Sequence, residues 1–494
     1  MLWLCLNFPQ LPLELHARAE PISSPWAIIE GKGARKTILQ CNDAAAELGI
    51  RPGMTPGAAY ALAHNLQLRS RDETAERQAL ESLADWAGQY TSFVSLRSPN
   101  ALLLEVAGSL RLFKGMAPLL DRIPRQTAEL GYATRIGVAP TPLAAWLLAR
   151  TQIPNIPPKT IMEINQLPAT LRELPLELLD LEPKQIKTLH GLGLKRLGEL
   201  LRLPRAGLAR RFSPGLVDYL DRLLGNSPDP LEAYTPPPRF VRQLWLPAET
   251  NDREALLFPA RRLLLELTGF LDARQAGTQW LHWRLIHHNH HHHRPATHVT
   301  LGLAAPNRDP EHLLALLRER LSRVTLEHAV EGIGLSVTNI RPLRPRTLSL
   351  DTSLNSDLDG NRHSDMADWP RLVERLRARL GDEAVRGFQP HPDHRPELAW
   401  KTSSPGAVVR DPGNARRPLW LLPKPVALSW RDGTPWLDGR LAIESGPERI
   451  ESGWWDEGDV ARDYFIASDA AHGCYWIYRE RYDTRRWFLH GLFA

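Results

Sequence analysis

The feature that most limits what this chain can fold into is a short, unbroken apolar run, Leu2 to Phe8, echoed far downstream by Ala101-Leu102-Leu103-Leu104-Glu105-Val106-Ala107. Runs of this length with no alternation read as strands buried in the middle of a sheet. They are too short to span a membrane, and no basic region precedes the first, so a buried strand is expected rather than a secretory signal. Between them, Asn42 to Leu48 and Pro56 to His64 are Ala-rich and helical, parted by the turn-rich stretch GIRPGMTPG. A further strand, Thr134 to Ala139, leads into a helix from Pro142 to Arg150. Strands mixed with crossing helices imply an α/β or α+β domain over residues 1–160, within an α+β multidomain chain.

The remaining residues demand further cores, since 494 residues exceed what one core accommodates and about two to four domains are expected. Residues 161–232 are Leu-rich with helical spacing, and within them LHGLGLKRLGELLRLP has the outline of a helix-hairpin-helix. Gly191 and Gly193 form its turn, and Lys195 and Arg196 lie on the helix that follows. Such a turn can offer backbone N–H groups to a phosphate; an ordinary helical hairpin capped by glycine has the same spacing. Arg210 and Arg211 follow on a helix, as a second cationic pair or a solvated face.

The proline-rich Tyr234 to Arg239 is a stiff linker. Over 240–340 the pattern predicts strand Arg242–Leu246, helix Arg253–Asp272, strands Gln279–His287 and Thr297–Leu303, helix Glu311–Glu327 and strand Gly334–Ile340, a ferredoxin-like order. His287 to His293 would then sit at the central hairpin turn, as a solvated loop or a metal-binding tract. Residues 341–368 read as a flexible tether, and 369–494 as a C-terminal region opening with a helix from Trp369 to Leu380. Seven of the sixteen tryptophans fall beyond residue 418, interleaved with Arg449, Arg462, Arg479, Arg481, Arg485 and Arg486. A small aromatic β-rich module is expected there, whose rings would stack bases, seat a protein or simply fill a core.

Three scattered cysteines, Cys5, Cys41 and Cys474, indicate neither a disulfide framework nor a zinc ribbon, and a reducing cytoplasm is expected. The 61 Lys+Arg against 56 Asp+Glu give +5, which permits a polyanionic partner without requiring one.

The opening Leu4-Cys5-Leu6-Asn7-Phe8-Pro9-Gln10-Leu11-Pro12-Leu13-Glu14 resembles, without a gap, the I-D-M-D-A-F-F-A-S-V-E of Y-family translesion DNA polymerases. The Gly49 to Met54 turn, the strand end Leu104 to Gly108 and the strand Gly137-Val138-Ala139 match further motifs of that family in order. What the resemblance implies is a palm and fingers over 1–160, a helix-hairpin-helix thumb over 161–232 and a little finger over 240–340. It also shows what has changed. The family's metal-binding carboxylates fall on Cys5, Asn100 and Ala101; its triphosphate-gripping Tyr and Arg fall on Asp43 and Ala46; its lysine falls on Trp146; its steric gate falls on Gln10. Phosphoryl transfer of this kind needs two Mg²⁺ ions on hard oxygen ligands, which a neutral thiol does not replace. Neither a catalytic centre, nor a metal, nor a cofactor is therefore expected.

The tail, with GPERIESGWWDEGDVARDYF and a final RRWFLHGLFA, resembles the ImuB-like branch, catalytically degenerate polymerase-like proteins of bacterial mutagenesis cassettes. That resemblance implies a non-catalytic adaptor in damage-induced (SOS) translesion synthesis. Its implied partners are DNA, the sliding clamp, a RecA-like accessory protein (ImuA) and an error-prone C-family DNA polymerase subunit. Clamp-binding peptides resemble Q-L-x-L-F. Leu348 and Leu350 in the tether match its leucines, and Gln243-Leu244-Trp245-Leu246-Pro247 is a second partial match that falls in an expected strand. An active polymerase using Glu105 and Asp43 as displaced ligands, and a stand-alone DNA-binding scaffold, are the alternative readings.

Overall fold

The computed structural model describes every residue except 18–23, 152–159, 288–294, 344–361, 404, 406–416, 457, 483–485 and 494. Its contacts divide the chain into two units, Met1–Arg379 and Leu380–Ala494.

The apolar run becomes the strand Trp3–Asn7, all five residues buried. It lies inside a four-stranded antiparallel sheet in the order Val94–Arg97, Ala101–Glu105, Trp3–Asn7, Arg135–Ala139. Residues alternate across a strand, so the two faces meet different partners. Leu4, Leu6, Leu102 and Leu104 pack with Leu80, Leu83, Leu119 and Ile123, from helices Glu73–Ala87 and Met116–Glu129. Trp3, Cys5, Ala101 and Leu103 face helix Pro142–Thr151. That helix passes so close that a Cβ on Gly137 would stand 2.2 Å from the Ala145 carbonyl oxygen, so only glycine fits there.

Three short strands went unanticipated: Trp26–Glu30, Thr37–Cys41 and Gln67–Ser70 form a second sheet with its own small core of Ala27, Ile38, Ala45 and Ile50. Gln67–Ser70 is mostly exposed and leaves no period to read, whereas Trp26–Glu30 is a short apolar run with Trp26, Ala27 and Ile28 buried. The expected helices appear beside them as Asp43–Glu47 and Pro56–Leu62, capped by Asn42 and Thr55 through hydrogen bonds to the Ala45 and Ala58 amides.

The Leu-rich stretch forms short helices, among them Pro183–Gly191, Leu197–Leu201, Arg205–Phe212 and Pro214–Leu224. Leu167, Leu189, Leu197, Leu200 and Leu223 belong to the same core cluster as Cys5 and Leu103. The expected thumb thus shares the sheet's hydrophobic core. The linker is pinned as well, the Tyr234 amide donating to the Val94 carbonyl at 2.7 Å.

Strand Phe240–Thr250, helix Leu257–Asp272, strands Ala276–His287 and Thr297–Asn307, helix Pro310–Leu321 and strand Val330–Val337 follow in the expected succession. One expectation needs correction. In a ferredoxin-like sheet the first and third strands are central, whereas here the order Thr297–Asn307, Ala276–His287, Val330–Val337, Phe240–Thr250 puts the second and fourth there. Proline explains the choice. Pro247 and Pro306 lie in the two outer strands, where a missing N–H breaks no ladder, and the inner strands carry none.

The helix expected to open the C-terminal region runs from Arg362 to Leu380 and packs on this sheet unit instead. Glu374 accepts hydrogen bonds from the Ala304 amide at 2.8 Å and His312 Nε2 at 2.7 Å, with both side chains buried.

The second unit holds the expected β-rich module. A seven-stranded sheet runs in the order Gly439–Arg440, Thr434–Leu437, Trp420–Arg431, Trp487–Leu492, Cys474–Glu480, Val460–Ser468, Ala442–Ser452. Leu441, Ile477, Trp487 and Leu489 fill one core cluster, and Ile450, Tyr464, Trp476 and Tyr478 another.

Candidate functional site

At the positions where the resemblance calls for metal ligands, the sheet carries none. Cys5 lies between Leu103 and Gly137 in the register and has no exposed surface. Burial pushes its thiol far above the ordinary range, so it stays protonated, and a metal binds the thiolate. Ala101 is equally buried. The Asn100 side-chain amide donates to the Phe8 carbonyl at 3.1 Å while the Asn100 main-chain carbonyl accepts from the Phe8 main-chain amide at 2.8 Å, closing the turn after the first strand.

The alternative ligands are committed elsewhere. Glu105 Oε1 accepts from the amides of Leu2 at 3.1 Å and Ala107 at 3.3 Å, at the end of its strand remote from Asn100. Asp43 is exposed in the first turn of the small helix that packs on the separate three-stranded sheet. Gln10 is exposed as well. Among the described residues no group of three His, Cys, Asp or Glu could hold a metal.

Beside Asn7 and Asn100 opens a cleft of about 870 Å³. Its charged lining is Arg97, Arg135, Arg150 and a lone carboxylate, Asp180. Asp180 is bound to Arg97 at 2.9 Å. The Arg97 and Arg150 guanidinium carbons lie 4.3 and 4.6 Å from the ring centre of Trp146, and Arg150 donates to the Leu178 carbonyl at 2.6 Å. The charge in this place is therefore positive, the reverse of what a two-cation centre requires.

These residues were not anticipated, although the pattern held them. Asn7 shares parity with Cys5, Arg135 shares parity with Gly137, and Arg150 stands one helical turn after Trp146.

The helical hairpin tells a different story from its motif. Helix Pro183–Gly191 ends at Leu192 and Gly193 turns the chain with φ +81°. The next helix begins only at Leu197, so Lys195 and Arg196 precede it rather than ride on it. The cause is Glu199, whose Oε2 accepts from the amides of Lys195 at 2.7 Å and Arg196 at 3.0 Å. Those two bonds hold its carboxyl below the ordinary range. The amides of Leu192, Gly193 and Leu194 donate to carbonyls of the preceding helix, and those of Leu197 and Gly198 to the carbonyls of Leu174 and Arg172. The expected phosphate cradle has its amides already spoken for. Arg196 also pairs with Glu173. Gly191, Lys195, Arg210 and Arg211 remain exposed.

His287 closes its strand buried, with Nδ1 3.1 Å from the His328 carbonyl oxygen and Nε2 2.7 Å from Thr297 Oγ1. The rest of the tract to His293 lies outside the described residues, as do Leu348, Leu350 and Arg485. Leu244 of the second clamp-like match is a core residue in its strand.

In the second unit the tryptophans divide. Trp476 and Trp487 are core, while Trp420, Trp430, Trp454 and Trp455 are exposed. Its arginines are largely paired: Arg449 and Arg479 with buried Asp463 at 3.0 and 3.1 Å, Arg462 with Glu397 at 3.0 Å, and Arg481 with Glu451.

Residues 12–150 match the impB/mucB/samB family. Protein ImuB of Caulobacter vibrioides NA1000 is 29% identical over 474 residues, covering 90% of this chain and 100% of the relative. DNA polymerase IV of Yersinia pseudotuberculosis is 28% identical over 191 residues, 38% of this chain and 53% of that protein. Among solved structures, DinB from Sulfolobus solfataricus matches with TM-score 0.40 at 17% identity, and an insertion ternary complex of Dbh DNA polymerase with 0.41 at 17%. Each covers 69% of this chain and 100% of the structure. By the sequence matches to ImuB and DNA polymerase IV, the likeness read from the opening strand and from the tail is borne out: the chain is similar to ImuB along most of its length and to a translesion-type polymerase over part of it.

Proposed function

We propose that this ImuB-like chain is a non-catalytic adaptor in mutagenic translesion DNA synthesis. It holds DNA and the sliding clamp and recruits a separate error-prone C-family polymerase subunit, with a RecA-like ImuA as a further partner. The observation that carries the reading is the chemistry of the sheet beside the cleft. A buried, protonated Cys5 and a buried Ala101 stand where the metal carboxylates would, and arginines line the space above. In-line phosphoryl transfer rests on metal-borne charge stabilisation and positioning, and this arrangement supplies neither.

DNA contact is assigned to exposed cations of the helical region, Lys195, Arg210 and Arg211, acting through phosphate charge rather than through hairpin amides. Clamp binding is assigned to Leu348 and Leu350. The C-terminal module, its arginines engaged by its own carboxylates and four of its tryptophans exposed, fits a protein partner better than a nucleic acid.

The test is one preparation of the full chain assayed for clamp capture and for primer extension with Mg²⁺ or Mn²⁺. Clamp capture that is lost in Leu348→Ala/Leu350→Ala, with no nucleotide incorporated, is the expected result. Extension that disappears in Glu105→Ala would establish a polymerase with a rebuilt metal site and end the adaptor reading. Failure to capture the clamp would leave a stand-alone DNA-binding scaffold.

A further inference from the structure

The cleft beside Asn7 has the properties of a site rather than of a scar. Asn7 and Arg135 face each other in the register of adjacent antiparallel strands, which brings their side chains within mutual reach of one small group. Asn7 is only 5% exposed, and its amide has no hydrogen-bond partner among the described residues. Arg135, half-buried, has none either. The other two arginines of the lining are held in place by Trp146, Asp180 and the Leu178 carbonyl. The Asn7 and Arg135 side chains both line the cleft, so an amide and a guanidinium with no partner among the described residues are left to bind whatever enters it. Three guanidinium groups against one carboxylate, itself neutralised by Arg97, select an anion. Guanidinium forks match the paired oxygens of a phosphate, a geometry that a monatomic halide does not offer.

We propose that this cleft is a metal-independent receptor for phosphate oxygens, with Arg135 and Asn7 as the residues that close on the ligand and Arg97 and Arg150 as its fixed walls. The arginines do electrostatically what bound cations would otherwise do, without the chemistry, because a guanidinium carries no exchangeable water and activates no nucleophile. The phosphate belongs either to a free polyphosphate, as in a nucleotide, or to the backbone of a single strand of DNA. The receptor stands apart from the adaptor reading, since anion binding and primer extension are separate measurements on the same protein.

Titration of the full chain with tripolyphosphate in excess EDTA tests it. Wild type should bind, and Arg135→Gln should weaken binding by about tenfold or more, as expected for loss of a charge-assisted hydrogen-bond pair. Asn7→Ser, on the facing strand, should weaken it by a smaller factor, and keeps the test open if Arg135→Gln folds poorly. The thermal midpoint of Arg135→Gln should match wild type, because Arg135 has no partner among the described residues to lose. Displacement of tripolyphosphate by a single-stranded oligonucleotide assigns the seat to a DNA backbone, and failure to displace assigns it to a free polyphosphate. Binding that requires Mg²⁺, or that is equal in wild type and both variants, overturns the proposal.

Discussion

The hairpin after Gly191 and the cleft beside Asn7 are both cationic and both lie in the first unit, yet they invert what their sequences advertise. The hairpin carries a motif for phosphate binding, and its structure has used the donors internally: Glu199 takes the amides of Lys195 and Arg196, and Glu173 takes the Arg196 side chain. The cleft carries the remains of a motif for metal binding, and its structure leaves Arg135 and Asn7 without partners among the described residues. A motif states which donors exist; only geometry states which remain available. Anion recognition follows the second quantity.

The hardest blow to the comparison would be a cleft that can still be returned to metal chemistry. Cys5→Asp restores the resembled ligand, but places a carboxylate where no surface is exposed, among Leu103, Ala144 and Leu148. An unpaired buried charge costs several kcal/mol, or else the group takes up a proton and is useless as a ligand. The expected outcome is a fall of roughly 3 kcal/mol or more in unfolding free energy by denaturant titration, with no gain in primer extension. A variant as stable as wild type would show that the strand's floor opens to water.

A smaller effect separates the exposed cations from the engaged one. Replacing Arg210 and Arg211 together by Gln should lower DNA affinity alike for all sequences and reduce the slope of log K against log salt by about 1 to 2. Arg196→Gln should leave that slope nearly unchanged, because its guanidinium already faces Glu173. Fluorescence anisotropy over a salt series reads both. Equal slopes for the two variants would erase the distinction between free and paired cations on this surface.

The frame was more legible than the site. Long or strongly periodic segments announced themselves: the buried first strand, the strand–helix succession after residue 240 and the Trp-rich module all appear where hydrophobic pattern put them. Short strands such as Gln67–Ser70 did not, because four mostly exposed residues carry no period. Strand order in the 240–337 sheet is legible in principle, since prolines in two of its strands mark the edges. The losses at Cys5, Asn100 and Ala101 could be read from the resemblance alone, whereas the arginines that replace them come from three separate segments, and only the fold brings Arg97, Arg135 and Arg150 to one cleft. Pairing was invisible as well: nothing in LKRLGEL says that its glutamate folds back onto two amides three and four residues before it.

That last bond yields the smallest and most discriminating effect. Glu199 is partly exposed, and its carboxyl is held below the ordinary range chiefly by the Lys195 and Arg196 amides. A carboxyl whose folded pKa is depressed contributes stability that is fully present above its unfolded value and is lost as pH falls through the folded one. The thermal midpoint of wild type should therefore exceed that of Glu199→Gln by a constant small margin above about pH 5, and the margin should close as pH falls further. A margin independent of pH would mean that the charge on Glu199 is irrelevant to the turn. The same variant tests the hairpin against the cleft directly. If DNA phosphate normally displaces Glu199 to reach those amides, removing the competing charge should tighten DNA binding; if the amides are occupied for structural reasons, anisotropy titrations of wild type and Glu199→Gln should superimpose, and that is the result expected here.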